Sequence, residues 1–547
     1  MKHKATRKWP VRSAKAKDLR KQLAALERGQ VPINLNAPVR MVLVFPNHYR
    51  VGMASVGFQT VFHLLNQHPG VRCERAFAQG VDNRDIRTFE TNTPIRQCDV
   101  VAFTLAFELD IPNVLELLIQ SDIPLLRDER SPQDPVILTG GVVASLNPSP
   151  LLPFMDGLLV GEGEGLFLKL CDLLYQNKIS KESRQTLLQN ISELPGFFVP
   201  GISQTVSRQV LESLEGTEAY TPIVTPKSHF KNMFVVEVGR GCRRGCFFCA
   251  AQHVYDPFRI RSHESILETI QVHNPGSNRI GLESAGLSDY PDLHLLIDKL
   301  VQKDYSVSFS SIRADRVTPE LLEQIEQSGA QSFAVAPETG NQALRIRIGK
   351  GISQERLLNT ARLVAQSSIR ILKLYFLIGL PSETMDDVFS INDCIEEISN
   401  CFRLTDKKKM IRVSVNAFIP KPFTEFQWAA MENAELLKKK RAIIEQSVKK
   451  MKNVTLSVKS TRLEQLQGAL ALGGQDIGLA LMKHLQTKCS WKQALNETGV
   501  DLESLLWRSK EQVKIFPWHI IQDETNIDDL WKRYQALMNA AVVSNRL

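Results

Sequence analysis

The chain has 547 residues, 43% hydrophobic and 23% charged, which excludes a disordered chain, a collagen-like fibre and a disulfide-stapled miniprotein. Its length accommodates several packed cores, on the order of three or four domains. The formal charge of +8 raises the question of a polyanionic partner, but residues 1–30 hold ten Lys and Arg against Asp18 and Glu27, which leaves 57 charges of each sign in residues 31–547.

The excess therefore belongs to a basic N-terminal arm, residues 1–38. A helix is expected over 14–28, with Leu19, Leu23 and Leu26 on one stripe. The arm reads as a solvated tail or as a tether for an acidic partner, and nucleic acid is expected to bind nowhere else. From residue 39 to 200, apolar strands are expected at 41–45, 100–105, 136–139 and 158–160, with a helix through 58–66. Strands separated by helices imply right-handed parallel crossovers and a doubly wound, Rossmann-like sheet. The pair Gly140-Gly141 and the run Gly161-Glu162-Gly163-Glu164-Gly165 end two of these strands, where such sheets place their ligands.

Residues 201–227 read as a linker. A second alternating series fills 228–425, with strands expected at 233–238, 279–283, 305–310, 332–336, 371–378 and 412–418 and helices such as 319–328 and 354–366. Six strand–helix units fit a partial (β/α)6 barrel of the TIM type, with a site at the carboxyl ends of its strands. Residues 426–547 form a helix-rich C-terminal region, with helices expected at 438–451, 477–485 and 526–541. No run of about 20 apolar residues is present for a membrane span, and the basic N-terminus has no apolar stretch behind it. With its cysteine usage, this makes the expected location cytoplasmic.

Of the nine cysteines, six stand singly and three, Cys242, Cys246 and Cys249, fall within Val238-Gly239-Arg240-Gly241-Cys242-Arg243-Arg244-Gly245-Cys246-Phe247-Phe248-Cys249. This stretch follows the first strand of the second series. Three thiolates at C-x3-C-x2-C suit three irons of a [4Fe–4S] cluster and leave the fourth open to a small molecule. Glycines 239, 241 and 245 let the backbone wrap closely, and Arg240, Arg243 and Arg244 are placed to moderate the negative charge. A structural zinc knot is the other reading; it needs four ligands, and only His253 lies near enough to be the fourth.

The motif resembles that of the radical S-adenosylmethionine (radical SAM) superfamily, C-x3-C-x-Φ-C with Φ aromatic, here Phe248. The resemblance implies that S-adenosylmethionine (AdoMet) chelates the fourth iron and is cleaved reductively to methionine and a 5′-deoxyadenosyl radical, which takes hydrogen from a substrate. It implies a reductant such as flavodoxin or ferredoxin as partner. By the same resemblance, Glu283 or Ser284 in Gly281–Gly286 meets the AdoMet amino group. Glu338 reaches the ribose, Arg345 or Lys350 pairs with the carboxylate, and Gly379 in Ile378–Thr384 lies against the adenine. Phe418–Thr424 resembles the sixth-strand end of this branch.

The N-terminal domain resembles the cobalamin-binding-like domain often fused ahead of such barrels. The family's D-x-H-x-x-G is not matched around His48, since no aspartate precedes it and the glycine, Gly52, falls one residue late. Cobalamin held by the Gly-rich strand ends and a domain without cobalamin are both open. The expected function is hydrogen abstraction from an unknown substrate, with cobalamin-dependent methyl transfer as one form of it. Cobalamin-free modification of RNA or protein and a non-catalytic iron–sulfur protein are the alternatives. A second cluster on Cys73, Cys98 and Cys171 is not expected, because these are separated singles that read as buried thiols.

Overall fold

The computed structural model describes residues 13–78, 86–405, 408–522 and 526–544. The first half is built on six strands, β1 (Val39–Phe45), β2 (Val71–Phe77), β3 (Val100–Thr104), β4 (Val136–Gly140), β5 (Gly157–Leu159) and β6 (Phe197–Phe198), in the order β2-β1-β3-β4-β5-β6. All neighbours run parallel except β5 and β6. Helices cover both faces, so strands such as β1 read as nearly unbroken apolar runs. The order switches direction at β1 and β3, the crevice where a doubly wound sheet binds its ligand.

The second half begins with β7 (Phe234–Glu237), β8 (Arg279–Glu283) and β9 (Ser306–Phe309), and continues with β10 (Ser332–Glu338), β11 (Ile371–Ile378), β12 (Met410–Ala417) and β13 (Val454–Val458). They form two parallel arcs, β9-β8-β7 and β10-β11-β12-β13, which adjoin where Ile312 N donates to Ala334 O at 3.2 Å. The doubly wound sheet and the partial barrel of the sequence reading are both present. β13 adds a strand to the six expected. The barrel core is apolar, with Val236, Ile280, Val307, Leu374 and Val415 fully buried.

The C-terminal helices share one continuous apolar core with a face of the N-terminal sheet, in which Leu470, Ile477 and Trp518 join Val42, Phe103 and Leu118. Asn147 fastens the two by donating to Ala471 O at 3.1 Å and Gly473 O at 2.9 Å. Trp518 is a core aromatic, stacked on Phe516 at 4.5 Å with its indole N–H donating to Gln427.

The basic arm is only partly a tail. Its residues 1–12 lie outside the described residues, and the helix runs Ser13–Ala24. From Arg20 onward the chain is stapled to the body. Arg20 donates to Glu90 O at 2.8 Å, and Glu27 pairs with buried Arg75 at 2.8 Å and accepts from the Tyr49 hydroxyl. Arg28 forms a backbone bridge to Val224. The solvated-tail reading fails for this stretch, because the basic and acidic side chains that made it look solvated have buried partners.

Candidate functional site

The cysteine loop is anchored at its base before it is shaped at its tip. Gly239–Arg240 pairs antiparallel with Arg259–Ile260, closing the loop into a ribbon beyond β7. Gly241 has a φ of 88°, and a Cβ there would lie 2.4 Å from Tyr255 O, so glycine is required. Phe247 N donates to Ile348 O at 3.1 Å, and Cys249 N donates to Cys246 O at 2.9 Å, which turns the second half of the motif back on itself. Cys246 is buried and Cys242 and Cys249 are half-buried.

Burial pushes the Cys246 thiol up to about 11, opposed chiefly by Lys350. Burial also raises Cys249, offset by a backbone hydrogen bond and Lys350. Both thiols are thus neutral at pH 7 until a bound metal's charge favours the thiolate. Among the described residues no three His, Cys, Asp or Glu side chains gather closely enough to ring a single ion. A closed zinc site takes four ligands, and His253, the candidate fourth, faces Glu425 at 3.8 Å, so the three thiols of the loop suit a [4Fe–4S] group better than a zinc knot.

Of the three loop arginines only Arg244 brings its charge to a thiol, that of Cys242. Arg240 turns away, with its Nη2 2.6 Å from Glu164 and 2.7 Å from Glu237. Arg244 is taken by Asp289 at 2.9 Å. Arg243 is exposed over the Phe258 ring. The cation that faces Cys246 and Cys249 is Lys350, whose ammonium lies 2.9 Å from Glu338, with Arg313 adding its charge at Cys246.

Glu338 therefore does stand beside the loop, at the end of β10, where the register slips and φ reaches 68°. Arg345 does not. It is fully buried, and its guanidinium donates to Thr339 O, Gly340 O, Ile352 O and Gln354. That fork spends four of its five N–H donors on bracing the turn after β10, inside a fully buried side chain, which corrects the assignment of Arg345 to a cofactor carboxylate. Gly379 (φ 76°) donates its N–H to Glu383 at 2.7 Å, and Lys440 donates to the same carboxylate at 2.7 Å. Phe248 packs, half-buried, against the large shared core.

Glu283 ends β8 opposite Glu237 on β7. Burial, and then the Glu237 carboxylate, push its pKa up to about 7. Ser284 is buried and accepts from Gly286 N at 3.2 Å. Glu283 and Ser284 line a cavity of about 430 Å³ that runs from the barrel mouth into the N-terminal domain. Its inner wall is apolar, with Leu43, Leu65, Ala102, Leu138 and Leu170; its mouth carries Thr104, Gly140, Gly141, Gly163, Glu164, Glu237 and Arg240.

Sequence reasoning missed what ties the two halves together there. Glu162 is gripped by both Arg259 nitrogens at 2.8 and 2.7 Å and lies 3.3 Å from Arg240. It also accepts from Leu211 N at 2.7 Å. Burial alone would raise the Glu162 pKa, but Arg259, Arg240 and that N–H hold it below the usual range. The signal was present: Gly-Glu-Gly-Glu-Gly alternates acids with glycines, and the cysteine loop begins with an arginine. Cys73, Cys98 and Cys171 are buried thiols.

Residues 57–200 match a family model described as "Radical SAM proteins, N-terminal", and residues 236–394 match one described as "Radical SAM superfamily". The uncharacterized protein MJ0966 of Methanocaldococcus jannaschii is 25% identical over 419 residues, 75% of this chain and 83% of that one. The ribosomal protein uS12 methylthiotransferase RimO of Pseudothermotoga lettingae is 22% identical over 231 residues, covering 38% of this chain and 54% of that one. Among solved structures, the cobalamin-dependent S-adenosylmethionine radical enzyme OxsB, with aqua-cobalamin and S-adenosylmethionine bound, matches with a TM-score of 0.46 at 18% identity, over 66% of this chain and 52% of that one. Among the described residues no helix is long and apolar enough to cross a membrane. The two family models together take in more than half of the sequence, the second contains the cysteine loop and both contribute to the cavity beside it, and the chain belongs to the radical SAM superfamily.

Proposed function

We propose that this chain is a radical SAM enzyme whose [4Fe–4S] cluster is held by Cys242, Cys246 and Cys249, and whose N-terminal domain takes up cobalamin for methyl transfer to a carbon of its substrate. The cluster would supply one electron for reductive cleavage of AdoMet, and the corrinoid would supply the methyl group. The cavity is the observation that carries the reading, because it joins the strand ends of the N-terminal sheet to the barrel mouth.

The apolar floor and polar rim of the lining would suit one face of a corrin ring and its peripheral amides, with the rest of the cofactor lying outside the cavity. Gly57, in the first turn of helix Val56–Leu65, lines it, and a Cβ at Gly57 would meet no atom within 4 Å. Gly140 also lines it, and a Cβ there would meet nothing nearer than Leu159 at 3.7 Å. His48 precedes the short helix Tyr49–Gly52 and is not among the lining residues, so cobalt ligation by His48 forms no part of the proposal. On the barrel side, Lys350 offers a cation beside Glu338 for the AdoMet carboxylate. Glu283, with a pKa of about 7, is able to accept or hold a proton at the cavity wall at neutral pH.

The test is anaerobic reconstitution with iron, sulfide and AdoMet under dithionite, with 5′-deoxyadenosine and S-adenosylhomocysteine measured with and without cobalamin. Formation of 5′-deoxyadenosine, joined by S-adenosylhomocysteine when cobalamin is present, is the expected outcome. An intact cluster with no 5′-deoxyadenosine overturns the enzyme reading. Gly57→Leu should fold normally, since the added side chain enters open space, yet retain no cobalamin after desalting. Retention equal to the parent protein would sink the cavity assignment.

A further inference from the structure

We propose that the substrate is an elongated molecule with an anionic group, a carboxylate or a phosphate, at the end remote from the reacting carbon, and that Lys373 and Arg412 hold this group inside the partial barrel. The proposal rests on the enzyme reading above and adds the chemical class of the substrate.

The strands of the second arc present two different faces. Leu372, Leu374 and Phe376 on β11, and Ile411, Val413 and Val415 on β12, are buried in the barrel core together with the surrounding helices. Side chains alternate along a strand, so Lys373 and Tyr375 on β11, and Arg412, Ser414 and Asn416 on β12, face the lumen, half-buried or exposed. The neighbouring strand β10 places the small residues Ala334 and Ala336 on the same face, which leaves the lumen room.

The register is what selects an anion. Lys373 and Arg412 are direct partners across β11 and β12, and neighbouring strands lie about 4.8 Å apart, so two cations rise from the lumen wall side by side. On their outer sides Lys373 has Ala334 and Arg412 has Thr455. Neither cation forms a hydrogen bond or an ion pair among the described residues. Like charges at that spacing repel, and the pair costs stability until an anion joins it. A guanidinium takes a carboxylate or a phosphate through paired N–H donors, and the lysine adds a point charge. Tyr375 and Ser414, the next lumen-facing pair, offer a ring and a hydroxyl beside it.

The remaining charges leave these two uncompensated. The carboxylates of the lumen stand at its mouth: Glu338, taken by Lys350 at 2.9 Å, and Glu237 and Glu283 at the ends of β7 and β8. Lys459, just past β13, lies over the Phe107 ring at 5.3 Å. At the base, Asp304 is the only acid among the described residues of the turns leading directly into β7–β13, where Lys231, Arg370 and Lys452 are exposed. Lys373 stands five residues before the end of β11, about 17 Å along the strand. Carboxylates at the mouth and unpaired cations toward the base orient a molecule with one anionic end.

Saturation-transfer NMR reads the binding of phenyl phosphate and of phenylacetate to the full-length reconstituted protein, with AdoMet present, no reductant, and benzyl alcohol as the neutral counterpart. At least one anion should bind saturably, about tenfold or more tighter than benzyl alcohol, and lose about tenfold or more in Lys373→Met/Arg412→Met. A preference for phenyl phosphate makes the substrate a phosphate ester and a preference for phenylacetate makes it a carboxylic acid; both support the proposal. Lys373→Glu replaces the repulsion with an ion pair, so that variant should bind neither anion and melt no lower than the parent. Saturable binding of neither anion, equal affinity in parent and double variant, or a Lys373→Glu protein that melts below the parent overturns the proposal. Binding is read without turnover, so a protein that holds the anion through these residues but forms no 5′-deoxyadenosine would overturn the enzyme reading and leave the anion site standing.

Discussion

Cys246→Ala should purify without iron, lack the brown absorption of a reconstituted cluster, and cleave AdoMet no faster than the uncatalysed reaction. Each thiolate is assigned its own iron, so no neighbouring donor replaces a lost one. The fold should survive, since the Cys246 thiol is neutral in the metal-free protein and its loop is held by main-chain bonds from Phe247 and by the Gly239–Arg240 ribbon. Circular dichroism and iron content separate the two effects. Cys401→Ala and Cys489→Ala remove half-buried thiols elsewhere and should leave iron content unchanged. Normal iron in Cys246→Ala would overturn the ligand assignment.

The second large effect is expected at Glu162, which contacts neither cysteine nor AdoMet carboxylate. Its carboxylate is 3% exposed and shared by Arg259 and Arg240. Glu162→Gln removes the charge and leaves buried Arg259 without its carboxylate, while Arg240 keeps Glu164 and Glu237. The expected loss of unfolding free energy is about 3–5 kcal/mol, read from urea titrations. The sign with pH follows from the lowered Glu162 pKa. A carboxyl more acidic in the folded than in the unfolded chain stabilises fully above the ordinary glutamate value of 4.5 and loses that contribution as pH falls below it. The stability difference between parent and variant should therefore shrink between about pH 5 and pH 3. A difference that holds constant over that window would show that the charge of Glu162 is not what binds the two halves. Because Arg240 opens the cysteine loop, the variant should also take up iron less completely.

How much of this was legible beforehand depended on whether a feature was local. The cysteine spacing, the aromatic Phe248 and the glycine at 241 all express short-range needs, namely ligands in one loop and a left-handed turn packed under Tyr255. The strand 100–104 was visible because burial on both faces makes it continuously apolar, and 371–378 because every second residue of an apolar run is buried. β2 was not visible. Its sequence VRCERAF carries three charged residues, and it is a buried strand only because Glu27, Glu90 and Thr91 come from elsewhere in the chain to pair with Arg75 and Glu74.

The same distinction decided the ligand-facing residues. Arg345 and Lys350 stand five residues apart and look alike as candidate cations. Tertiary packing spends Arg345 on backbone carbonyls and brings Lys350 to Glu338 and the cysteines.

The +8 at the N-terminus looked like a property of a free arm, yet Arg20, Glu27 and Arg28 are part of the body's own surface. By itself the sequence determined the superfamily, because three cysteines at this spacing on one short loop need no fold to be recognised. It also determined the order of an open sheet before a partial barrel, through alternating apolar periodicity. Only the tertiary structure decided that the sheet's glycine-rich ends and the barrel mouth share one cavity, lined by Glu162 and Arg240, with Arg259 holding Glu162 from behind. Those partners lie tens of residues apart in sequence, and the energy of a buried ion pair depends on the desolvation and geometry of both its members, which no local pattern encodes.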